Sequence, residues 1–90
     1  MHGPVIHRAN PRFWACYRQL PKEVRQLADE CHQLLRRDPK HPSLHFKRLG
    51  RFWSVRVGLH YRALAVEHED ALVWFWIGSH AVYSRLVSGK

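Results

Sequence analysis

Carboxylates are scarce in this sequence, and from Pro39 through Val66 there is not one. Seven acids stand against 15 lysines and arginines, a formal charge of +8, with 8 histidines besides. The acids are confined to Glu23, Asp29, Glu30, Asp38, Glu67, Glu69 and Asp70, so a paired-carboxylate mechanism has poor support. Cysteine is nearly absent too. Cys16 and Cys31 make no disulfide framework, and both fall at apolar positions of helix-like segments, where they are expected to act as small hydrophobes. Cys31, His32, His41 and His45 match no standard zinc-ligand spacing, so neither a metal nor another cofactor is expected. No apolar run approaches the ~18 residues of a membrane span, and Met1-His2-Gly3-Pro4-Val5 does not read as a signal peptide. A Gly-rich phosphate loop, the hydrolase order of Ser, His and Asp, and HExxH are all missing. The apolar share of 46% excludes intrinsic disorder. These absences lead to one expectation: a basic, cytoplasmic protein without a membrane partner, forming a single domain over residues 1–90.

The pattern of what is present divides in two. Val5 to Ala9 reads as a short first strand. Asn10-Pro11 then supplies a helix start, with Asn as cap and Pro where its missing N–H costs nothing. Phe13, Trp14, Tyr17 and Leu20 follow at helical spacing, and Pro21 opens a second helix. Its apolar residues Val24, Leu27, Ala28, Cys31, Leu34 and Leu35 form one stripe, ended by Arg36, Arg37 and Asp38-Pro39. After Leu49 the period shortens to two. Phe52–Val57 reads as a strand with Trp53, Val55 and Val57 on one face and Ser54 and Arg56 on the other. Gly58 marks a turn, Tyr61–Val66 runs back, Glu67-His68-Glu69-Asp70 is a polar turn, and Leu72–Ile77 is a strand apolar on both faces. Gly78-Ser79 ends it, and a short tail carries His80 and Tyr83. The expected fold is α+β: an N-terminal helical hairpin packed on one face of a twisted antiparallel sheet of about four strands. Phe13, Trp14, Tyr17, Trp74 and Trp76 are expected in the core, and His2, His7, His32 and His68 at the surface without a role.

The acid-free block carries Lys40, Lys47, Arg48, Arg51, Arg56 and Arg62, with His41, His45 and His60, interleaved with Phe46, Phe52, Trp53 and Tyr61. Such a block makes a positive face whose counterparts are phosphate backbones or an acidic protein. Lys47, Arg48, Arg56 and His45 are the candidate RNA- or phosphate-binding residues. Arg62 lies mid-strand, an odd place for a purely solubilising cation. Whether Arg56 points the same way depends on the hairpin register, which the sequence leaves open. His80, just past the last strand, suits proton transfer near neutral pH or, alternatively, capping of the strand end. Tyr83 is three residues on, within reach if the tail makes a helical turn, or else simply packs its ring.

Four runs, in order, resemble the RelE/ParE superfamily of bacterial type II toxins: Ser43–Leu49, Phe52–Val57, Tyr61–Leu64 and Trp74–Tyr83. The FWS-R strand, the YRAL strand and the terminal GSHxxY look closest to the RelE and HigB-like messenger-RNA interferases, and the likeness spans Phe13 to Leu86. The resemblance implies a microbial RNase fold that cuts messenger RNA at the ribosome. A 2′-hydroxyl attacks the adjacent phosphate, and no metal takes part. It further implies that Arg62 contacts the scissile phosphate, that His80 is acid or base, and that Tyr83 stacks on or orients the substrate. Lys47 matches a basic residue before the second strand, and Arg56 matches more loosely. The glutamate that one branch uses as base has no counterpart, its aligned position being Ser43. The implied partner is a cognate antitoxin, with which this chain can form a heterotetramer. Two alternatives stay open: a ParE-type toxin that poisons DNA gyrase without RNase activity, and a non-toxic basic RNA- or protein-binding module.

Overall fold

The computed structural model describes residues 6–88, so Val5 of the expected first strand lies outside the described residues. Its elements are β1 (Ile6–Ala9), α1 (Pro11–Arg18), α2 (Lys22–Arg37), a 3-10 turn at Pro42–Leu44, β2 (Lys47–Leu49), β3 (Phe52–Val57), β4 (Tyr61–His68), β5 (Ala71–Ser79) and α3 (His80–Ser88). One sheet runs in the order β1-β5-β4-β3-β2. The α+β class and the helical hairpin hold. The sheet differs from expectation in having five strands and in being mixed, because β1 pairs parallel with β5. Three further corrections concern bounds. Lys47–Leu49 is a strand, Glu67 and His68 belong to β4 so that only Glu69 and Asp70 turn, and the tail is a helix.

Local chemistry accounts for the elements. The Asn10 side chain accepts from the Phe13 N–H at 3.0 Å and caps α1. The Arg25 guanidinium donates to the Leu20 carbonyl at 2.7 Å, and the Tyr17 hydroxyl donates to Asp29 at 2.8 Å, tying the two helices together. Glu69 and Asp70 both take positive φ (49° and 66°), as the tightest hairpin turns require to match strand twist. Gly58 has φ +63°, and a Cβ there would come 2.9 Å from Leu27 Cδ1, so the β3–β4 turn both needs the left-handed region and packs against α2.

The core lies between the hairpin and one face of the sheet. Leu20 from the α1–α2 connection and Val24, Ala28 and Leu35 from α2 meet Val55, Val57, Ala63, Ala65, Leu72, Trp74 and Ile77. Phe13 and Tyr17 are only partly buried, and Trp14 is 44% exposed, so α1 contributes less to the core than its aromatics suggested. Cys16 and Cys31 are free and partly buried. Burial pushes the Cys31 thiol up to about 11, and the thiol donates to the Arg56 carbonyl at 3.4 Å, an unreactive setting.

His7 is not the idle surface residue expected. Its Nδ1 accepts from the Trp74 indole N–H at 3.0 Å, its ring stacks on that indole at 6.0 Å, and His32 stands edge-on at 6.4 Å. Desolvation first, then the neighbouring His32 and Arg36, hold His7 below the usual histidine value; desolvation and Arg36 do the same for His32. The unfolded chain thus binds more protons than the folded one below about pH 6.5, so stability falls as pH falls through that window. Thermal melts are expected to drop by a few degrees between about pH 7 and pH 5. His7→Asn, which keeps an acceptor for Trp74 and cannot titrate, should flatten that slope. An equal slope in both proteins would count against the His7 contact as its source.

Candidate functional site

Strand pairing settles which cations share a face. In the β3–β4 ladder Arg56 stands opposite Arg62, Val55 opposite Ala63 and Ser54 opposite Leu64. Directly opposed residues of an antiparallel pair point the same way. Both arginines therefore project from the face remote from α1 and α2. Lys47 joins them as the partner of Ser54. Arg48, one residue on, belongs to the other face as the partner of Trp53, where it lies 3.7 Å from Glu67. Glu67 also accepts from the Trp53 indole N–H at 3.2 Å. Of the four candidate phosphate ligands, Arg48 is thus separated from the rest and has a carboxylate of its own.

His45 is brought into the group by its backbone. It ends the 3-10 turn in the left-handed region, φ 45° and ψ 41°, an uncommon conformation for a non-glycine residue. Its Nε2 lies 3.2 Å from Arg56 Nη1. A guanidinium only donates, so Nε2 is the acceptor and the proton of that imidazole sits on Nδ1. Arg56 also donates from Nε to the Gly58 carbonyl at 3.1 Å, and Arg62 donates to the Tyr61 carbonyl at 3.1 Å. Among the described residues neither arginine forms an ion pair with a carboxylate.

The sheet face carrying these cations is not wholly bare, because α3 crosses it. The His80 N–H donates to the His60 carbonyl at 2.7 Å, and the Ser79 hydroxyl accepts from the Val82 N–H at 3.3 Å, so the helix starts where β5 stops. One turn later Tyr83 is 7% exposed, and the Ser54 hydroxyl, itself 1% exposed, donates to the Tyr83 oxygen at 3.2 Å. The guanidinium of Arg62 lies 5.6 Å from the centroid of the Tyr83 ring, and the His80 ring lies 5.6 Å from the same centroid. The cation–π contact and the hydroxyl bond fix Tyr83 under Arg62. His80 itself is exposed.

Arg62, His80 and Tyr83 thus form one cluster, with Arg56, His45 and Lys47 along the same face. Sequence reasoning missed two participants. Ser54 was placed on this face by alternation, but nothing marked it as the anchor of Tyr83. Trp76, expected in the core, is partly exposed and pairs with Leu64 on the cation face. Ser43, aligned with the missing glutamate, is exposed and bonds with His41 Nδ1 at 2.9 Å within its own turn. Among the described residues no group of three or more metal-ligating side chains occurs.

No curated protein matches the sequence. Solved structures share the fold. The RelB–RelE antitoxin–toxin complex of Methanococcus jannaschii matches with a TM-score of 0.66 at 13% identity, over 86% of this chain and 95% of that one. A mutant of Escherichia coli toxin RelE in the free state gives 0.63 at 14%, over 96% and 97%. YafQ of E. coli gives 0.65 at 11%, over 88% and 97%. The family model for the ParE-like toxin domain matches residues 22–85. From the second helix to the third, then, this chain belongs to the ParE-like toxin domain family, within the RelE/ParE superfamily of toxins.

Proposed function

We propose that this chain is the toxin of a toxin–antitoxin pair and acts as an endoribonuclease on messenger RNA, at the ribosome and in the cytoplasm. One observation carries the reading: Arg62 and His80 flank a single buried tyrosine on a sheet face whose arginines have no carboxylate partner among the described residues. Phosphodiester cleavage needs cations at the phosphate and a group that moves protons near neutral pH, and these are the groups assembled there.

In the proposed reaction the 2′-hydroxyl loses its proton and its oxygen attacks the adjacent phosphorus. The bond from phosphorus to the 5′-oxygen breaks, and that oxygen takes up a proton. The products are a 2′,3′-cyclic phosphate and a 5′-hydroxyl. Arg62, with Arg56 opposite, neutralises the charge that builds on the phosphate oxygens. His80 moves the proton. Tyr83 holds the guanidinium in place, its ring against Arg62 and its hydroxyl bonded to Ser54. Lys47 extends the cationic track, and His45 stands beside Arg56 along it as a hydrogen-bond acceptor. The antitoxin–toxin complex among the structural neighbours supports a cognate antitoxin as partner, one whose acidic surface covers this face. Light scattering on the co-expressed pair tests whether the assembly is a heterotetramer.

Induced expression of the wild-type chain is expected to arrest growth with cleaved messenger RNA bearing 5′-hydroxyl ends. Arg62→Ala and His80→Ala should each lower the cleavage rate by about 10²–10⁴-fold and release the arrest. Undiminished arrest in both variants, or arrest with intact RNA and damaged DNA, would point to the gyrase-directed alternative instead.

The pH dependence of cleavage in vitro should change in shape in His80→Ala. A profile of the same shape in both proteins removes His80 as the proton carrier.

Face assignment gives a sharper test of binding. Lys47→Ala should reduce the slope of log affinity against log salt by about 0.7, the value for one single-strand phosphate contact. Arg48→Ala, from the opposite face, should leave that slope unchanged. Equal losses in both would contradict the separation of the two cations.

A further inference from the structure

The resemblance gave substrate stacking to Tyr83, but that ring is 7% exposed, with Arg62 and His80 beside it and its oxygen held by Ser54. A base drawn out of single-stranded RNA needs an open aromatic face. Another ring stands on the same surface for a reason written into the backbone. Trp74 and Trp76 are two residues apart, so strict alternation would put both on one side of the sheet. A bulge prevents this: Ala65 pairs with Trp74, but the adjacent Leu64 pairs with Trp76, leaving Phe75 as the extra residue. Trp74 goes to the core, and Trp76 emerges among the cations. Bulges commonly re-aim a side chain beside a functional site.

The position of the indole is equally specific. Gly78 is the ladder partner of Arg62. A Cβ at Gly78 would stand 2.5 Å from Trp76 Cζ2, 3.1 Å from Cη2 and 3.2 Å from Cε2. The six-membered ring of Trp76 therefore occupies the space beside the Arg62 position that any residue other than glycine would fill. Gly78 does not have positive φ, so its lack of a side chain, rather than its backbone freedom, is what the site uses.

We propose that Trp76 is a base-stacking subsite: an unpaired nucleobase next to the phosphate held by Arg62 lies on the exposed part of the indole, with Gly78 as the residue that positions the ring. The occupant is single-stranded RNA, because the surrounding charge is cationic and free of carboxylate partners and because stacking accepts any base. The inference rests on the endoribonuclease reading and adds to it the contact that orients the nucleotide.

The test uses the full wild-type chain and a fluorescent 2′-O-methyl oligoribonucleotide, which cannot be cut because it lacks the attacking hydroxyl. Trp76→Leu should weaken binding by roughly tenfold or more, and Trp76→Phe, which keeps a ring, by much less. Replacing one nucleotide by an abasic unit should reproduce the loss with the wild-type chain and add nothing with Trp76→Leu. Gly78→Ala should weaken binding in the wild-type background and have no effect beside Trp76→Leu, which a merely structural role for the glycine would not produce. Thermal melts establish that each variant is folded. Full binding by Trp76→Leu, or the same abasic loss in both proteins, overturns the stacking subsite alone. A wild-type chain with no affinity for the oligonucleotide overturns the RNA reading together with it.

Discussion

The register between β3 and β4 is the constraint on which the rest of this surface depends. With Val55 opposite Ala63 and Val57 opposite Tyr61 on the side of the helices, Arg56 has no choice but to stand opposite Arg62 on the other side. Like charges directly opposed on a sheet cost a few tenths to about 1 kcal/mol. Each valine fully buried against α2 contributes about 1.5–3 kcal/mol. Burial wins, and a slip of one residue would add a second penalty by turning guanidinium groups into the layer that holds Leu35 and Leu44. The hydrophobic core on one face thus enforces a pair of adjacent, mutually repelling cations on the other.

How that repulsion is relieved matters for what the face can do. Arg56 gives its protons to the Gly58 carbonyl and to His45, and Arg62 gives one to the Tyr61 carbonyl and lies against the Tyr83 ring. These partners are neutral acceptors and a π-face. The carboxylate that could have quenched the site, Glu67, is on the opposite side, engaged by Arg48 and Trp53. Among the described residues neither arginine is ion-paired, so an arriving phosphate has no salt bridge to break there. His45 meets a local cost here: its left-handed backbone is of order 1 kcal/mol less favourable than ordinary geometry, and it is what aims Nε2 at Arg56.

Much of this was legible in the sequence, and the reasons for the gaps are particular. The alternation Trp53, Val55, Val57 against Ser54, Arg56 gave both faces of β3 correctly, and Asn10-Pro11 and the α2 stripe gave the hairpin. β2 was missed because three residues, two of them charged, carry no periodicity. The parallel pairing of β1 with β5 joins residues some 65 positions apart, which no local pattern reports. Arg48 was grouped with Lys47 because a block of charge in a sequence has no sides, whereas in a strand adjacent residues are on opposite ones. In sequence Trp76 reads as core, because nothing in an apolar run such as Trp74-Phe75-Trp76 announces the bulge opposite Leu64 and Ala65 that inverts the parity of β5. His7 reads as idle in sequence because its acceptor role requires the distant Trp74.

The helix that completes the site shows how closely assembly and packing coincide. His80 has its backbone fixed to His60 and its helix capped by Ser79, so the imidazole is placed by the end of a strand rather than by a loop. Tyr83 is one turn away and thus on the same side of the helix, and it buries itself by crossing β4 to reach Ser54 on β3. That single side chain docks the helix, supports the Arg62 guanidinium and sets the separation of guanidinium from imidazole. Docking α3 and forming the cluster are therefore one event. Among the described residues the main core cluster takes nothing from α3, whereas the arrangement of Arg62 and His80 around one ring requires it. Among the described residues no carboxylate pairs with either arginine of that face, so the arrangement of guanidinium and imidazole depends on the burial of a tyrosine.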